Sequence, residues 1–507
     1  LAETAFCILN KHYPSLYIAI SFLLGALSVL SFAPFNYHSI SLISLSGLFY
    51  IWHKLNHARW SFLSGLFFGL GLFCFGISWI YISLNLYGGM PAWLAYLSTF
   101  LFCLFLAFFI GIVGWLSSHR KSSFFLIPFI WTLFEWIRGW FLTGFPWLTM
   151  GYSQVPSSPL VGFLPVIGVY GVTFIVTFLA LILSLVLRNK NKHSQLIKLS
   201  AIGFVLLSGQ LLKNIEWTDR IGEPVSVSLI QGNIAQDIKW QKETISHTLN
   251  TYQALIQKTK GQIILLPETA LPLLLEYIPK TFKESILKHA SKEQSHVLLG
   301  AIERQDTKYF NVVLDLKNDS SPVYRKSHLV PFGEFIPLKF IFQYIYTHYL
   351  NMPMNDLSRG SAHQTPMAIG NQKIAFNICY EDVFGEEIIQ SLPSATLIAN
   401  VSNDAWYGRS IAAYQHLQFS QARAIETGRM VIRATNTGAT AIIDEHGILI
   451  ETLPEFTEGV LEGSVQGFKN ATPYVLLGNW PVISLCFIAL LGWFMRHSKL
   501  LWILKKK

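Results

Sequence analysis

Charge is scarce in this chain. Only 13% of its 507 residues are Asp, Glu, Lys or Arg, against 52% hydrophobic residues that include 38 Phe and 15 Trp. That shortage argues against an ordinary soluble globular protein and points to an integral membrane protein with a polar part attached. The length allows more than one domain. Cysteine is scarce as well: Cys7, Cys74, Cys103, Cys379 and Cys486 are the full set. None forms a C-x-x-C pair, so neither a disulfide framework nor a zinc site is expected. All but Cys379 lie in or beside apolar runs, where a thiol acts as a small buried hydrophobe. Internal repeats and low-complexity tracts are absent. Lys and Arg are missing from three connections, "FAPFNYHS", "NLYGGMP" and "FLTGFPWLTMGYSQVPSSP", and that absence carries the topology.

Apolar runs long enough to cross a bilayer fall at about 13–33, 39–56, 61–86, 91–116, 123–142, 160–187, 197–213 and 473–495. The first is too long and too poorly flanked for a cleavable signal peptide and reads as a retained span. Between the seventh and eighth runs, the residues near 217–470 have ordinary soluble character. The expected organisation is therefore a transmembrane domain of seven helices over 1–216, a polar domain over 217–470, and an eighth helix with a basic tail over 471–507. Lys54 and Arg59, Arg120 and Lys121, Arg188, Lys190, Lys192 and Lys198, and Arg496, Lys499 and Lys505 to Lys507 occupy the alternate connections and the tail. The positive-inside rule then puts these and both termini in the cytoplasm and 217–470 on the opposite side. The net charge of +9 is partly this topology signal, and nucleic-acid binding is not expected.

The polar domain alternates β-rich runs such as "VSVSLIQGN", "QIILLPE" and "TLIANVSND" with helical stretches such as "ISHTLNTYQALIQKT" and "AAYQHLQFSQARAIETG", the pattern of a layered α/β domain. Three polar residues end apolar strand candidates: Glu268 in "IILLPE", Lys326 in "VYRK" and Cys379 in "KIAFNICYEDVFG". Strand ends are where ligands and catalytic groups gather in α/β folds. Glu381 and Asp382 next to Cys379 should raise its pKa and blunt it. A thiol so placed works if Glu268 takes its proton and if Lys326 faces the sulfur. Lys326 and the backbone N–H of Tyr380 could then stabilise the oxyanion of an attacked carbonyl. Taken singly, each residue also has a plain structural role: Glu268 in a turn, Lys326 solvated beside Arg325 and His328, Cys379 in the core.

Taken together, "LLPETA", "YRKSHLVPFGEFIP", "ICYEDVF" and "NVSNDAWYG", in this order, resemble the carbon–nitrogen hydrolase (nitrilase) superfamily over roughly 225–465. The resemblance implies a Glu–Lys–Cys triad of Glu268, Lys326 and Cys379 on an α/β/β/α sandwich. "FAPF" near Phe32, "FEWIRGWFLTGFPWLTMGYSQ" from Phe134 to Gln154 and "QGNIAQDIKW" ending at Trp240 extend it over nearly the whole chain. In that extent the sequence is similar to the apolipoprotein N-acyltransferase family, a membrane-embedded branch of the superfamily. The resemblance implies an eight-span bacterial inner-membrane enzyme with a periplasmic catalytic domain. It implies that Cys379 takes an acyl chain from a phospholipid, phosphatidylethanolamine being the expected donor. The chain would then pass to the α-amine of an apolipoprotein's diacylglyceryl-cysteine. Glu334, Glu381 and Tyr380 are implied as supporting residues. Trp240, Trp147 and Trp406 are the expected substrate-binding residues, with Phe340, Phe342 and Tyr344. No metal and no cofactor is expected.

Phe335 to Asn355 is unusually aromatic and reads either as an interfacial lid or as a core helix of the sandwich. Glu135 and Arg138, at i and i+3 in the fifth run, share a helical face and are expected to fix the "GFPWL" loop as an ion pair. Two other functions stay open at this stage. A tethered amidase or nitrilase would use the same triad with water as acceptor, but eight spans exceed what a tether needs. A transporter or scaffold would carry charges or broken helices at mid-bilayer, and the runs show few charges away from their ends.

Overall fold

The computed structural model describes residues 14–118, 121–188, 191–317, 323–350 and 356–504. Cys7, Arg120, Lys190, Lys505 to Lys507 and the end of the aromatic stretch, 351–355, lie outside the described residues. The chain divides into two compact units: Leu1–Ser78, Leu97–Ile215 and Asn479–Lys507 form one, and Trp79–Tyr96 with Glu216–Gly478 form the other.

The first unit is helical: α1 Pro14–Ser28, α2 Ser39–Leu55, α3 Ala58–Gly76, α4 Ala92–Ser118 (from Leu97 on), α5 Ile127–Arg138, α6 Leu164–Arg188, α7 Lys192–Leu212 and the last helix, Trp480–Leu504. Among the described residues, six stretches are long and apolar enough to cross a membrane: Pro14–Ser31, Ala58–Gly76, Ala92–Ser118, Pro159–Arg188, Lys192–Leu212 and Trp480–His497. The helices α2, of 17 residues, and α5, of 12, are shorter. The run expected at 61–86 also divides. Helix α3 stops at Gly76, and Ile80–Ile82 with a π-helical turn, Ser83–Tyr87, joins the second unit. A hydropathy window detects apolar residues but not where their helix ends.

Glu135 and Arg138 are both buried in α5. The Arg138 guanidinium donates to the carbonyls of Phe145 (2.6 Å) and Trp147 (2.7 Å). The Glu135 carboxylate accepts from Trp131 Nε1 (2.9 Å), Met150 N (3.1 Å) and Thr173 Oγ1 (2.8 Å). Both charges therefore hold the 145–150 loop through its own backbone, and this geometry keeps buried charged groups hydrogen-bonded.

The second unit is built on two six-stranded sheets. The first runs β12-β1-β2-β3-β4-β5 and the second β11-β10-β9-β8-β7-β6. Their strands are β1 Asp219–Gln231, β2 Ile263–Leu265, β3 His296–Gln305, β4 Lys308–Asp315, β5 Tyr324–Arg325, β6 Met367–Ile369, β7 Gln372–Ile378, β8 Leu397–Ser402, β9 Val431–Thr435, β10 Ala441–Ile443, β11 Leu449–Thr452 and β12 Gly459–Lys469. Strands β1, β2 and β3 are mutually parallel, as are β7, β8 and β9.

Strand alternation explains the layers, since successive side chains point to opposite faces. Val227, Leu229, Ile263 and Leu265 meet Ile374, Phe376, Ile378, Leu397 and Ala399 in a core between the sheets. The alternate residues Ile230, Ile264 and Leu266 pack on Tyr252 and Leu255 of α8 (Ile245–Ile256) and on Phe282 and Ile286 of α9 (Lys280–Lys292). Ala375, Ile398 and Val431 pack on Leu417 and Ala424 of α11 (Ala412–Thr427). The result is an α/β/β/α sandwich. One further helix, α10 (Lys339–Tyr349), carries most of the aromatic stretch.

Candidate active site

The sandwich brings Glu268, Lys326 and Cys379 to strand ends. Cys379 is the residue after β7, Lys326 the residue after β5, and Glu268 lies three residues past β2. All three are buried. Gly300 makes the Glu268 turn possible, because a Cβ there would lie 2.3 Å from the Pro267 carbonyl oxygen.

The Glu268 carboxylate accepts from Asn311 Nδ2 (2.7 Å) and Lys326 Nζ (3.4 Å) on one oxygen and from the Asn403 backbone N–H (3.0 Å) on the other. Lys326 Nζ also donates to Glu334 Oε1 (2.9 Å), while Glu334 Oε2 accepts from Val330 N (2.7 Å). Burial alone would drive the Lys326 ammonium toward neutrality, but Glu334 and Glu268 beside it hold its pKa above the usual lysine range. Lys326 thus remains a cation between two carboxylates.

Burial and the Glu268 charge push the Cys379 thiol well up, with Lys326 opposing. The resting sulfur keeps its proton and needs a base. The sequence led us to expect this rise from Glu381 and Asp382; the structure gives the main charges as Glu268 and, more weakly, Asp404. The two adjacent acids are occupied elsewhere. Glu381 accepts from Ser327 N (2.6 Å), His328 N (3.0 Å), Ile378 N (2.7 Å) and the Tyr324 hydroxyl (2.8 Å). It ties the end of β7 to the segment following Lys326, and burial raises its pKa against Lys326 and the His328 and Ile378 N–H groups. Asp382 accepts from Ser420 and from Arg433 (3.3 Å).

The other expected residues divide. Tyr380 is buried beside Cys379, edge-on to Phe384 at 5.1 Å. Trp240 is half-buried against Ile302, Leu329 and Leu357. Trp406 and Phe342 pack with Phe332 on Ile336 and Tyr346, whereas Phe340 and Tyr344 are 85% and 66% exposed. Helix α10 is therefore packed on one side and apolar but uncovered on the other. Trp147 belongs to the first unit and is 1% exposed, its ring stacked on Phe145 at 5.8 Å.

Sequence reasoning missed several buried groups around the three residues. Asn311 and the Asn403 N–H hold Glu268. Lys239 Nζ donates to Thr269 Oγ1 (3.2 Å) and weakly to the Glu268 carbonyl (3.5 Å). His416 on α11 and Asp404 bring a ring nitrogen and a carboxylate oxygen to within 4.8 Å of the Cys379 sulfur. These are metal-ligand types, but both His416 nitrogens are already bonded and Arg433 occupies Asp404. The available signal was α11 itself, a stretch rich in Gln, His, Arg and Glu that lies almost wholly buried.

The family model described as apolipoprotein N-acyltransferase N-terminal domain matches residues 24–182, and the carbon–nitrogen hydrolase model matches 226–470. An apolipoprotein N-acyltransferase of Nitrosomonas europaea is 45% identical over 93% of this chain and 96% of its own length. The chain belongs to the apolipoprotein N-acyltransferase family. A second member, from Chromobacterium violaceum, is 40% identical over 93% of both chains. Among solved structures, a carbon–nitrogen hydrolase superfamily protein of Xanthomonas campestris aligns at 18% identity with a TM-score of 0.36, covering 52% of this chain and 97% of that one. Membership makes the chain an acyltransferase, and the α/β sandwich is its carbon–nitrogen hydrolase domain.

Proposed function

We propose that this acyltransferase N-acylates the α-amine of the diacylglyceryl-cysteine at the N-terminus of an apolipoprotein, with Cys379 as nucleophile and a membrane phospholipid as donor. Phosphatidylethanolamine is the donor we assign. In the first half-reaction the Glu268 carboxylate takes the thiol proton and the sulfur attacks the donor's ester carbonyl. The oxyanion forms against the Lys326 ammonium and the Tyr380 N–H. The lysophospholipid leaves as an alcohol, taking its proton from Glu268, and a thioester remains on Cys379. In the second, the amine attacks the thioester, Glu268 accepts a proton from its nitrogen, and the sulfur departs as a thiolate that recovers the proton. The product is an amide and free Cys379.

The observation that carries this reading is the shared hydrogen-bond set of Glu268, Lys326 and Glu334 together with the effect of Glu268 and Lys326 on the Cys379 thiol. Glu334 and Glu381 support it by holding Lys326 and the end of β7. Trp240, Trp406 and Phe342 are assigned to substrate binding, with Phe340 and Tyr344 meeting lipid.

The setting we assign is the bacterial inner membrane, with the second unit periplasmic, the basic connections cytoplasmic and eight crossings. The two short helices are compatible with crossing. Helix α2 falls at the lower limit of spanning length. Helix α5 follows a 3₁₀ segment, Lys121–Leu126, and together they cover about 30 Å.

Purified protein incubated with phosphatidylethanolamine should gain one thioester-linked acyl chain on Cys379, read by mass spectrometry. Cys379→Ala should abolish it. Glu268→Gln and Lys326→Met should fold but acylate on the order of 100- to 1,000-fold more slowly. An adduct surviving in the Cys379→Ala protein would falsify the assignment.

A further inference from the structure

His416 lies in α11 and is 1% exposed. Its Nε2 is 3.0 Å from the backbone carbonyl oxygen of Cys379, and its Nδ1 is 2.7 Å from Asp404 Oδ1. A carbonyl can only accept, so the ring donates from Nε2 to the Cys379 oxygen. The ring is a rigid bridge between Asp404 and the peptide that follows the nucleophile.

The far end of the bridge is firmly held. Asp404 also accepts from Ser402 Oγ (3.1 Å) and from Arg433 (2.9 Å). Arg433 in turn donates to Asn400 Oδ1 (2.6 Å) and Ser420 Oγ (3.1 Å). Asp404, Arg433, Asn400 and Ser420 are each 0–2% exposed. The network links β8, β9, α11 and the turn after β7 behind the thiol. His416 and Arg433, with Asp404 low in pKa against them despite burial, give it little freedom to rotate.

The near end needs such a hold. Cys379 has φ +53°, in the left-handed region that a non-glycine residue seldom adopts. The Cys379–Tyr380 peptide is not among the cis bonds, so its C=O and N–H point in opposite directions across a plane. Fixing the carbonyl therefore fixes the aim of the Tyr380 N–H.

We propose that His416 is a positioning residue of the transfer reaction: its bond to the Cys379 carbonyl sets the plane of the Cys379–Tyr380 peptide and aims the Tyr380 N–H at the oxyanion. The inference rests on the reading of Cys379 as nucleophile with that N–H as an oxyanion donor. His416 touches no reacting atom. Its effect is confined to steps in which a carbonyl oxygen gains charge.

Two reactions of the same thiol separate this role from a structural one. Acylation by phosphatidylethanolamine passes through an oxyanion, whereas alkylation by iodoacetamide is a displacement at carbon that forms none. Both rates are measured on the Cys379 peptide of the full-length protein in detergent. His416→Leu should slow acylation about 100-fold and leave alkylation within about threefold of wild type. His416→Gln, whose amide N–H can reach the same carbonyl, should recover at least about tenfold of that loss. If the leucine variant does not fold, the glutamine variant decides: acylation reduced with alkylation unchanged supports the role, and equal loss of both overturns it. A leucine variant that acylates within threefold of a normal wild type overturns the inference alone. A wild type that forms no Cys379 thioester removes both the inference and the reading beneath it.

Discussion

Lys239 is fully buried, and its hydrogen bonds go to Thr269 Oγ1 and the Glu268 backbone carbonyl. Burial lowers its pKa to about 8, with the Glu268 charge opposing. The sign of its effect on stability follows from proton counting. Between about 8 and the ordinary 10.5, the unfolded chain holds a proton that the folded chain has lost, so stability rises with pH across that window. Below pH 8 the folded protein carries the full cost of the buried charge, about 3 kcal/mol. Lys239→Met should therefore raise the thermal midpoint at pH 7, less the two hydrogen bonds it gives up, and the gain should shrink as pH climbs from 8 toward 10.5. A gain that stays constant across that range would mean that Lys239 is not the titrating group.

At this scale the sequence displayed the candidate triad but not its neighbours. Cys379, Glu268 and Lys326 stand out because each is a polar residue closing an apolar strand run, and Glu334 and Glu381 lie in the same matching segments. Asn311 sits inside β4 and Asn403 acts through its backbone, so neither leaves a mark in composition or spacing. His416 reaches Cys379 across 37 positions of sequence, a distance that only the folded chain closes.

Elements with strong periodicity were legible: α8 and α11 and strands β2, β7 and β8 lie in the runs where they were expected. Residues 430–444 hold two strands, β9 and β10, joined by a turn of similar β character, so their boundary leaves no mark in the sequence. Strands β6, β11 and β12 were missed. Strand β11 is exposed throughout and has no buried face to create an alternation. Helix α10 presented the opposite difficulty, being apolar on both sides. Tyr346 and Phe342 pack inward while Phe340, Ile341 and Tyr344 face outward. That much uncovered apolar surface is costly in water and favourable at a lipid interface. It follows closely on Lys326 and Glu334, and we propose that a lipid-facing α10 shields the thioester from water. Replacing Phe340, Phe342 and Tyr344 with Ser should leave Cys379 acylation intact, slow turnover and raise the ratio of free fatty acid to acylated peptide in a detergent assay. An unchanged ratio in a folded protein would make α10 an ordinary packing element.

The whole molecule constrains its own topology by parity. Within the second unit, Ser83 Oγ donates to the Trp406 carbonyl (2.7 Å), Trp79 Nε1 donates to Gln415 (3.2 Å), and the Trp79 and Tyr407 rings meet at 4.5 Å. Two pieces of chain in such contact lie on one side of a membrane. In the topology we propose, the chain between Tyr96 and Glu216 therefore crosses an even number of times. Helices α4, α6 and α7 are long and apolar enough to cross, and we propose that the 3₁₀ segment at 121–126 with α5 supplies a fourth crossing. In that proposed topology helix α3 runs outward from the connection bearing Lys54 and Arg59, in agreement with the basic-residue rule. The parity leaves only α2 undetermined, and the connection before it, "FAPFNYHS", carries no Lys or Arg. Single cysteines in a protein otherwise free of them, labelled with an impermeant maleimide in intact spheroplasts, test each step. Thr307→Cys and Tyr37→Cys should label from outside, and His57→Cys and Ser118→Cys should label only after permeabilisation. Protection of Tyr37→Cys beside a protected His57→Cys would reduce the count by removing α2. Outside labelling of Ser118→Cys would break the parity itself and, with it, the placement of the α5 segment across the bilayer.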